Sequence, residues 1–317
     1  MLTLCGCLLA PGAARAQTPS QPFPNKGTIE ITVLFPAGSS ADVTARLLAD
    51  GMSRQLATNV IVMNRPGAGG AIGYRHVAGQ KADGYALVWN SNSISTTYHS
   101  GMLPFNYEKF DAVAEVLVET PVLAVLSSSR WTDLGTLIAE AKLKPNQITV
   151  ANSGVGSHTH ISAVALFRAA GIAVVDVPFG ASQVVPSLLG GQVDAAMQLP
   201  SALSAYVKAG QLRLLAALSR DRDPAFPELP TAREQGLDVA LEAWRGIATP
   251  KGTPKDVIAA LETAIKRTVE SPEFVQACAR LGARPAFASA DAFGHLIARE
   301  DAELAVIMQA IGLKKPQ

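Results

Sequence analysis

The chain has 317 residues, of which 48% are hydrophobic and 17% charged, and its 27 basic and 26 acidic side chains leave a formal net charge of +1. Near-neutrality excludes the basic face with which a nucleic-acid binder neutralises phosphates, and the apolar fraction lies far above that of disordered chains. At roughly 150 residues per domain the length suggests about two domains. Arg, Lys, Asp or Pro interrupts every apolar run before the roughly 18 residues of a spanning helix, which excludes a membrane-embedded body but leaves a membrane partner open.

Met1 to Ala16 is small and apolar and ends in Ala14-Arg15-Ala16, the A-x-A form of a signal-peptidase site, so residues 1–16 are expected to be an export signal. Leu4-Cys5-Gly6-Cys7 has the outline of a lipoprotein box, but too few apolar residues precede Cys7. Cleavage after Ala16 removes Arg15, so 27 bases become 26 against 26 acids, and it removes Cys5 and Cys7. Cys278 remains alone in an apolar-periodic segment, which excludes an internal disulfide and a multi-cysteine metal site. No metal and no cofactor are expected.

After a Pro-rich leader, Ile29 to Phe35 is β-branched and stops at Pro36-Ala37-Gly38, a strand running into a turn. Ser39, Ser40 and Asp42 are N-cap candidates for a helix whose stripe is Val43, Leu47, Leu48 and Met52. The unit repeats with a strand at Asn59 to Met63, a glycine-rich loop, a helix at Ala71 to Ala78 and a strand at Tyr85 to Trp89. A second series has strands at Ile148 to Ala151, Ala173 to Pro178, Val193 to Leu199 and Leu212 to Leu218, with helices between them. Alternation of this kind implies a parallel sheet with helices on both faces, in two α/β lobes in tandem. Beyond Thr253-Pro254 the chain reads as mostly helical, with further starts at Ser271-Pro272 and at Ser289 or Asp291.

Ligands of doubly wound sheets sit outside the carboxyl ends of the strands, where helix N-termini present free N–H groups. Pro36 to Asp42, Asn64 to Gly73 and Asn152 to His160 fit that placement; they are rich in Gly, Ser and Ala and poor in Lys and Arg. Such loops suit a carboxylate held by backbone amides and hydroxyls. Other chemistries are poorly represented. Gly67-x-Gly69 lacks the third glycine of a dinucleotide fingerprint because Ile72 stands there, and neither a Walker lysine motif nor a G-x-S-x-G elbow occurs. His158 and His160, two apart at a helix start, diverge, which favours a polar cleft-lining role over a metal site.

The ordered series Phe35-Pro36-Ala37-Gly38-Ser39-Ser40-Ala41-Asp42, Asn64-Arg65-Pro66-Gly67-Ala68-Gly69-Gly70, Gly154-Val155-Gly156-Ser157-His158-Thr159-His160, Leu188 to Asp194, Trp244-Arg245-Gly246 and Pro250 to Pro254 resembles the solute-binding receptors of tripartite tricarboxylate transporters, the Bug-type family. The resemblance covers roughly residues 28 to 312 in collinear order. It implies two doubly wound α/β domains joined by a hinge, like type II periplasmic binding proteins, with residues 28–122 plus 245–317 as domain 1 and 123–244 as domain 2. It implies a periplasmic, non-catalytic, monomeric receptor that closes on a small carboxylated solute and delivers it to the membrane permease subunits of a tripartite tricarboxylate transporter. Ligand contacts implied on the first domain are Ala37, Gly38, Ser39, Ser40, Ala41, Asp42, Gly69, Gly70, Ser91 and Ser93; on the second they are Ser153, Gly156, Ser157, Thr159, His160, Phe179, Gly180, Ala181, Ser182 and Gln198. Capping accounts for Asp42 as well as ligand contact does. The hinge is expected near Pro121 to Ala124 and Ala243 to Gly246. The residues leave open a sensor role in place of transport, and a hydrolase using His158 or His160. Ser39 in place of a second glycine, the hydroxyl-rich Ser91 to Tyr98, and Pro178-Phe179-Gly180-Ala181 depart from the family pattern and leave the solute open.

Overall fold

The computed structural model describes residues 23–315 apart from 26 and 225, so the expected export signal, 1–16, lies outside the described residues. The first lobe opens with β1 (Ile29–Val33), α1 (Ser40–Leu56), β2 (Val60–Asn64), α2 (Ala71–Ala78), β3 (Ala86–Ser91), α3 (Ser93–His99) and β4 (Phe110–Glu119). The chain then crosses into β5 (Val122–Leu126), α4 (Leu134–Leu143), β6 (Thr149–Asn152), α5 (His158–Ala169), β7 (Val175–Pro178), α6 (Val184–Leu189), β8 (Ala195–Gln198), α7 (Pro200–Lys208) and β9 (Leu212–Ala217). It returns through β10 (Ala243–Pro250), α8 (Lys255–Val269), α9 (Pro272–Leu281), β11 (Arg284–Ala288) and α10 (Ala290–Ala310).

Two mixed sheets result, ordered β11-β4-β10-β3-β1-β2 and β7-β6-β8-β5-β9. β2, β1 and β3 run parallel, as do β7, β6 and β8, whereas β10 is antiparallel to both β3 and β4, and β5 is antiparallel to β8 and β9. The all-parallel expectation is corrected by these inserted strands, whose apolar runs carry no βα turn to announce them. Helices cover both faces of each sheet. One face of the first sheet packs β1, α1, α8 and α9 residues such as Ile31, Leu48, Leu261 and Phe274 into a core, and the other packs Tyr74, Phe110, Trp244 and Phe293. The second sheet is filled in the same way by Leu134, Leu166 and Met197 on one face and by Val184, Leu188 and Leu203 on the other. Cys278 is wholly buried in the first core, where burial pushes its thiol up to about 12.

The caps expected at Ser39, Ser271 and Ser289 fall where they act, and Ser157 adds one that was not expected. Ser39, Ser157, Ser271 and Ser289 are N-caps whose side chains accept from Asp42, His160, Phe274 and Ala292 amides, respectively. The two lobes touch on either side of a shared cleft. A Cβ on Gly69 would lie 3.2 Å from the Val155 carbonyl oxygen, and Lys208 Nζ donates to the Arg280 carbonyl at 2.8 Å.

Candidate functional site

The carboxyl ends of β1 and β3 face those of β6 and β8 across a narrow cleft with a cavity volume of about 30 Å³. Seven hydroxyl side chains line it, those of Ser39, Ser40, Ser91, Ser93, Ser153, Ser157 and Thr159, with the amides of Asn92 and Gln198. Phe35, Ala41, Ala181, Leu199 and Ala243 supply its apolar surface. Convergent polar groups set in apolar surface are what a small-molecule site presents.

A helix begins on each side. At α1 the Ser39 side chain takes the Asp42 amide and the Ser39 carbonyl takes Val43, while the amides of Ser40 and Ala41 make no hydrogen bond among the described residues. At α5 the Ser157 side chain takes the His160 amide and its carbonyl takes Ile161, and the His158 and Thr159 amides are left over in the same way. Unbonded first-turn amides are what a helix offers an anion, and the partial positive charge of each N-terminus adds to the attraction. The second-lobe loop is further braced, because Ser153 N donates to Thr159 Oγ1 at 3.0 Å and Gln198 Nε2 to Ser153 Oγ at 3.2 Å.

A buried ion pair sits beside α1. Arg245 Nε lies 3.5 Å from Glu119 Oε2, with side chains 6% and 0% exposed. The Glu119 carboxylate also accepts the hydroxyls of Ser40 and Ser201 and the Ser201 amide, so donors from both lobes converge on it. Antiparallel pairing explains the placement: β10 sets Ala243 opposite Glu119 and Arg245 opposite Ser91, so its first residues lie beside the last residues of β3 and β4. Arg245 is fixed further by its neighbour, since Asn92 accepts the Trp244 amide at 3.1 Å and Glu300 accepts both Trp244 Nε1 at 2.7 Å and Asn92 Nδ2 at 2.6 Å.

Of the residues expected at the site, Ser39, Ser40, Ala41, Ser91, Ser93, Ser153, Ser157, Thr159, Ala181 and Gln198 line this cleft, and Gly69, Gly70, Phe179 and Gly180 line its adjoining mouth. Ala37, Gly38, Asp42, Gly156, His160 and Ser182 line neither. Asp42 accepts from Gly38 N at 3.0 Å and Asn64 Nδ2 at 2.9 Å and pairs with Arg46 at 2.9 Å. Burial pushes its carboxyl up, but Arg46, Gly38 and Asn64 outweigh that and hold it below the usual range. Its work is to clamp the β1–α1 turn. His160 Nδ1 accepts the Gly156 amide at 3.2 Å and Nε2 faces Asp176 at 3.4 Å, which stiffens the β6–α5 turn. His158 Nε2 lies 3.0 Å from the Leu241 carbonyl and so carries the proton, leaving Nδ1 buried and without a partner. Among the described residues, neither ring hydrogen-bonds a serine or threonine hydroxyl.

Arg245, Glu119 and Asn92 are absent from the sequence-derived site. The signal for the pair was one charge inside an otherwise largely apolar run, Arg245 in Ala243 to Ala248 and Glu119 in Val116 to Val125.

With this geometry in hand, the comparisons converge. The model of the tripartite tricarboxylate transporter family receptor matches residues 44–313. The chain is 32% identical to protein BugT of Bordetella pertussis, over 99% of this chain and 98% of that protein. Among solved structures it is similar to R. palustris Rpa4515 with adipate, with 25% identity and a TM-score of 0.87 over 92% of this chain and 98% of that one. It is also similar to MatC (Rpa3494) from Rhodopseudomonas palustris with bound malate, with 25% identity and a TM-score of 0.83 over 90% and 99%. The chain therefore belongs to the tripartite tricarboxylate transporter receptor family of solute-binding proteins.

Proposed function

We propose that this protein is a periplasmic receptor that captures a small carboxylated solute between its lobes by domain closure and hands it to the membrane permease subunits of a tripartite tricarboxylate transporter. The jaws are residues 28–122 with 245–317 and residues 123–244, and the chain performs no chemistry on its cargo. One observation carries the reading: two helix N-termini, one per lobe, leave the amides of Ser40, Ala41, His158 and Thr159 unbonded at a common hydroxyl-lined cleft. A carboxylate there would join the lobes through charge-assisted hydrogen bonds, so occupancy would favour the closed form that a permease can recognise. Adipate and malate, the molecules solved with two relatives, are both dicarboxylates, which supports a solute of that size and charge.

The test is thermal unfolding of the chain from Gln17 onward against acetate, lactate, succinate, malate, adipate, citrate, glutamate and benzoate. A ligand at about a hundred times its dissociation constant adds roughly 2.7 kcal/mol, a rise of a few degrees in a chain of this length. The expected result is a rise confined to one structural class of acid. A midpoint indifferent to every acid, in protein freed of carried-over ligand, would overturn the reading.

A further inference from the structure

We propose that Arg245 is the anion-recognition residue of the cleft, docking the solute's carboxylate through its Nη1 edge while Glu119 and Ser40 hold its other edge in place. The inference rests on the receptor reading and deepens it by assigning the charge that selects the solute.

Arg245 is nearly buried yet lines the cavity, whereas Glu119, its carboxylate partner, is wholly enclosed and does not. A guanidinium has five N–H donors in a planar fork. Nε donates to Glu119 and Nη2 to Ser40 Oγ, each at 3.5 Å, and Nη1 makes no hydrogen bond among the described residues. Glu119 has no spare capacity to turn towards it, being occupied by Ser40, by the Ser201 hydroxyl and by the Ser201 amide. A cation removed from water with donors to spare is unfavourable unless an anion or ordered water completes it, and a planar carboxylate matches the fork. The unbonded amides of Ser40 and Ala41 begin the helix whose first hydroxyl touches the same guanidinium, so helix terminus and arginine address one place in the cleft. Glu119 has a second role in this arrangement. It cancels the arginine's charge in the empty receptor, so the arginine can sit in a nearly dry cleft without preorganising the site for a highly charged anion. A solute with one carboxylate at this end is the match, and a neutral amide of the same shape is not.

The experiment is calorimetric titration of malate, adipate and benzoate, each beside its primary amide, into the unaltered protein and into the charge-neutral double variant Glu119→Gln/Arg245→Gln. The unaltered protein is expected to prefer the bound acid over its amide by roughly 10- to 100-fold, the range for losing a hydrogen bond to a charged group. The double variant, folded by circular dichroism, is expected to lose most of that preference. A residue that merely held the lobes together would weaken acid and amide alike, so an unchanged acid-to-amide ratio in the double variant overturns the proposal. Should the double variant not fold, an unaltered protein that binds acid and amide equally well is sufficient to overturn it. Silence of the unaltered protein towards all three acids and the wider set would overturn the receptor reading itself, a distinguishable failure.

Discussion

His158 sets a cost on acid. Burial pushes its ring down to about 4 from an ordinary 6.5, with the Leu241 carbonyl opposing and Arg245 assisting. Between those two values the unfolded chain binds more protons than the folded one, so the stability present above about 6.5 is lost as pH falls towards 4. Glu115 and Glu300 act in the opposite sense: burial pushes both carboxyls up to about 7, so they favour the fold below 4.5 and withdraw that contribution as pH rises through 7. Comparison with His158→Gln cancels the glutamates, since Gln can still donate to Leu241. Relative to that variant, the unaltered protein is expected to lose about 2 to 3 kcal/mol in urea unfolding between pH 7 and 4.5. Parallel pH profiles would contradict the assignment of a neutral, buried imidazole. At this scale the sequence showed which residues had the right chemistry but not which way they faced. Asp42 and Ser39 are three apart at one helix start, and only Ser39 lines the cleft, because Asp42 turns back to Gly38, Asn64 and Arg46.

Among elements, β10 connects core and site. Gly246 lies between Arg245 and Ile247 on this strand, and a Cβ there would sit 2.3 Å from Phe293 Cζ and 2.5 Å from the Ala114 carbonyl oxygen. Only glycine lets α10 press Phe293 onto the sheet, where its ring meets Trp244 edge-on with centroids 5.1 Å apart. Gly246→Ala is expected to cost roughly 3 kcal/mol or more, since one of the clashing atoms is backbone and cannot rotate away. Urea unfolding checks this, and a loss below about 1 kcal/mol would mean the strand shifts freely. Elements with a local signal were readable in advance: α2 spans Ala71–Ala78 as its loop and periodicity dictate, and serine caps mark α1, α9 and α10. The strands β4, β5 and β10 were not. They are antiparallel insertions defined by long-range pairing, and rules built on the carboxyl ends of parallel strands do not point to the amino end of β10, where Arg245 sits.

Across the whole molecule, the two sheets each have their own cores, and the unbonded first-turn amides of α1 and α5 meet where the lobes face each other. Such a cleft binds by exclusion of water as much as by contact, so filling it should abolish capture without harming either core. Ala181 lines both the cleft and its mouth and belongs to a turn outside the sheets, which makes it the place to test this. The decisive measurement is isothermal titration of the best acid from the thermal screen into the unaltered protein and into Ala181→Trp, with both melting points recorded. A single site in the unaltered protein and no measurable heat of binding in a normally melting Ala181→Trp is the expected result; equal binding by the two proteins would place the solute elsewhere and contradict the interlobe cleft as its site.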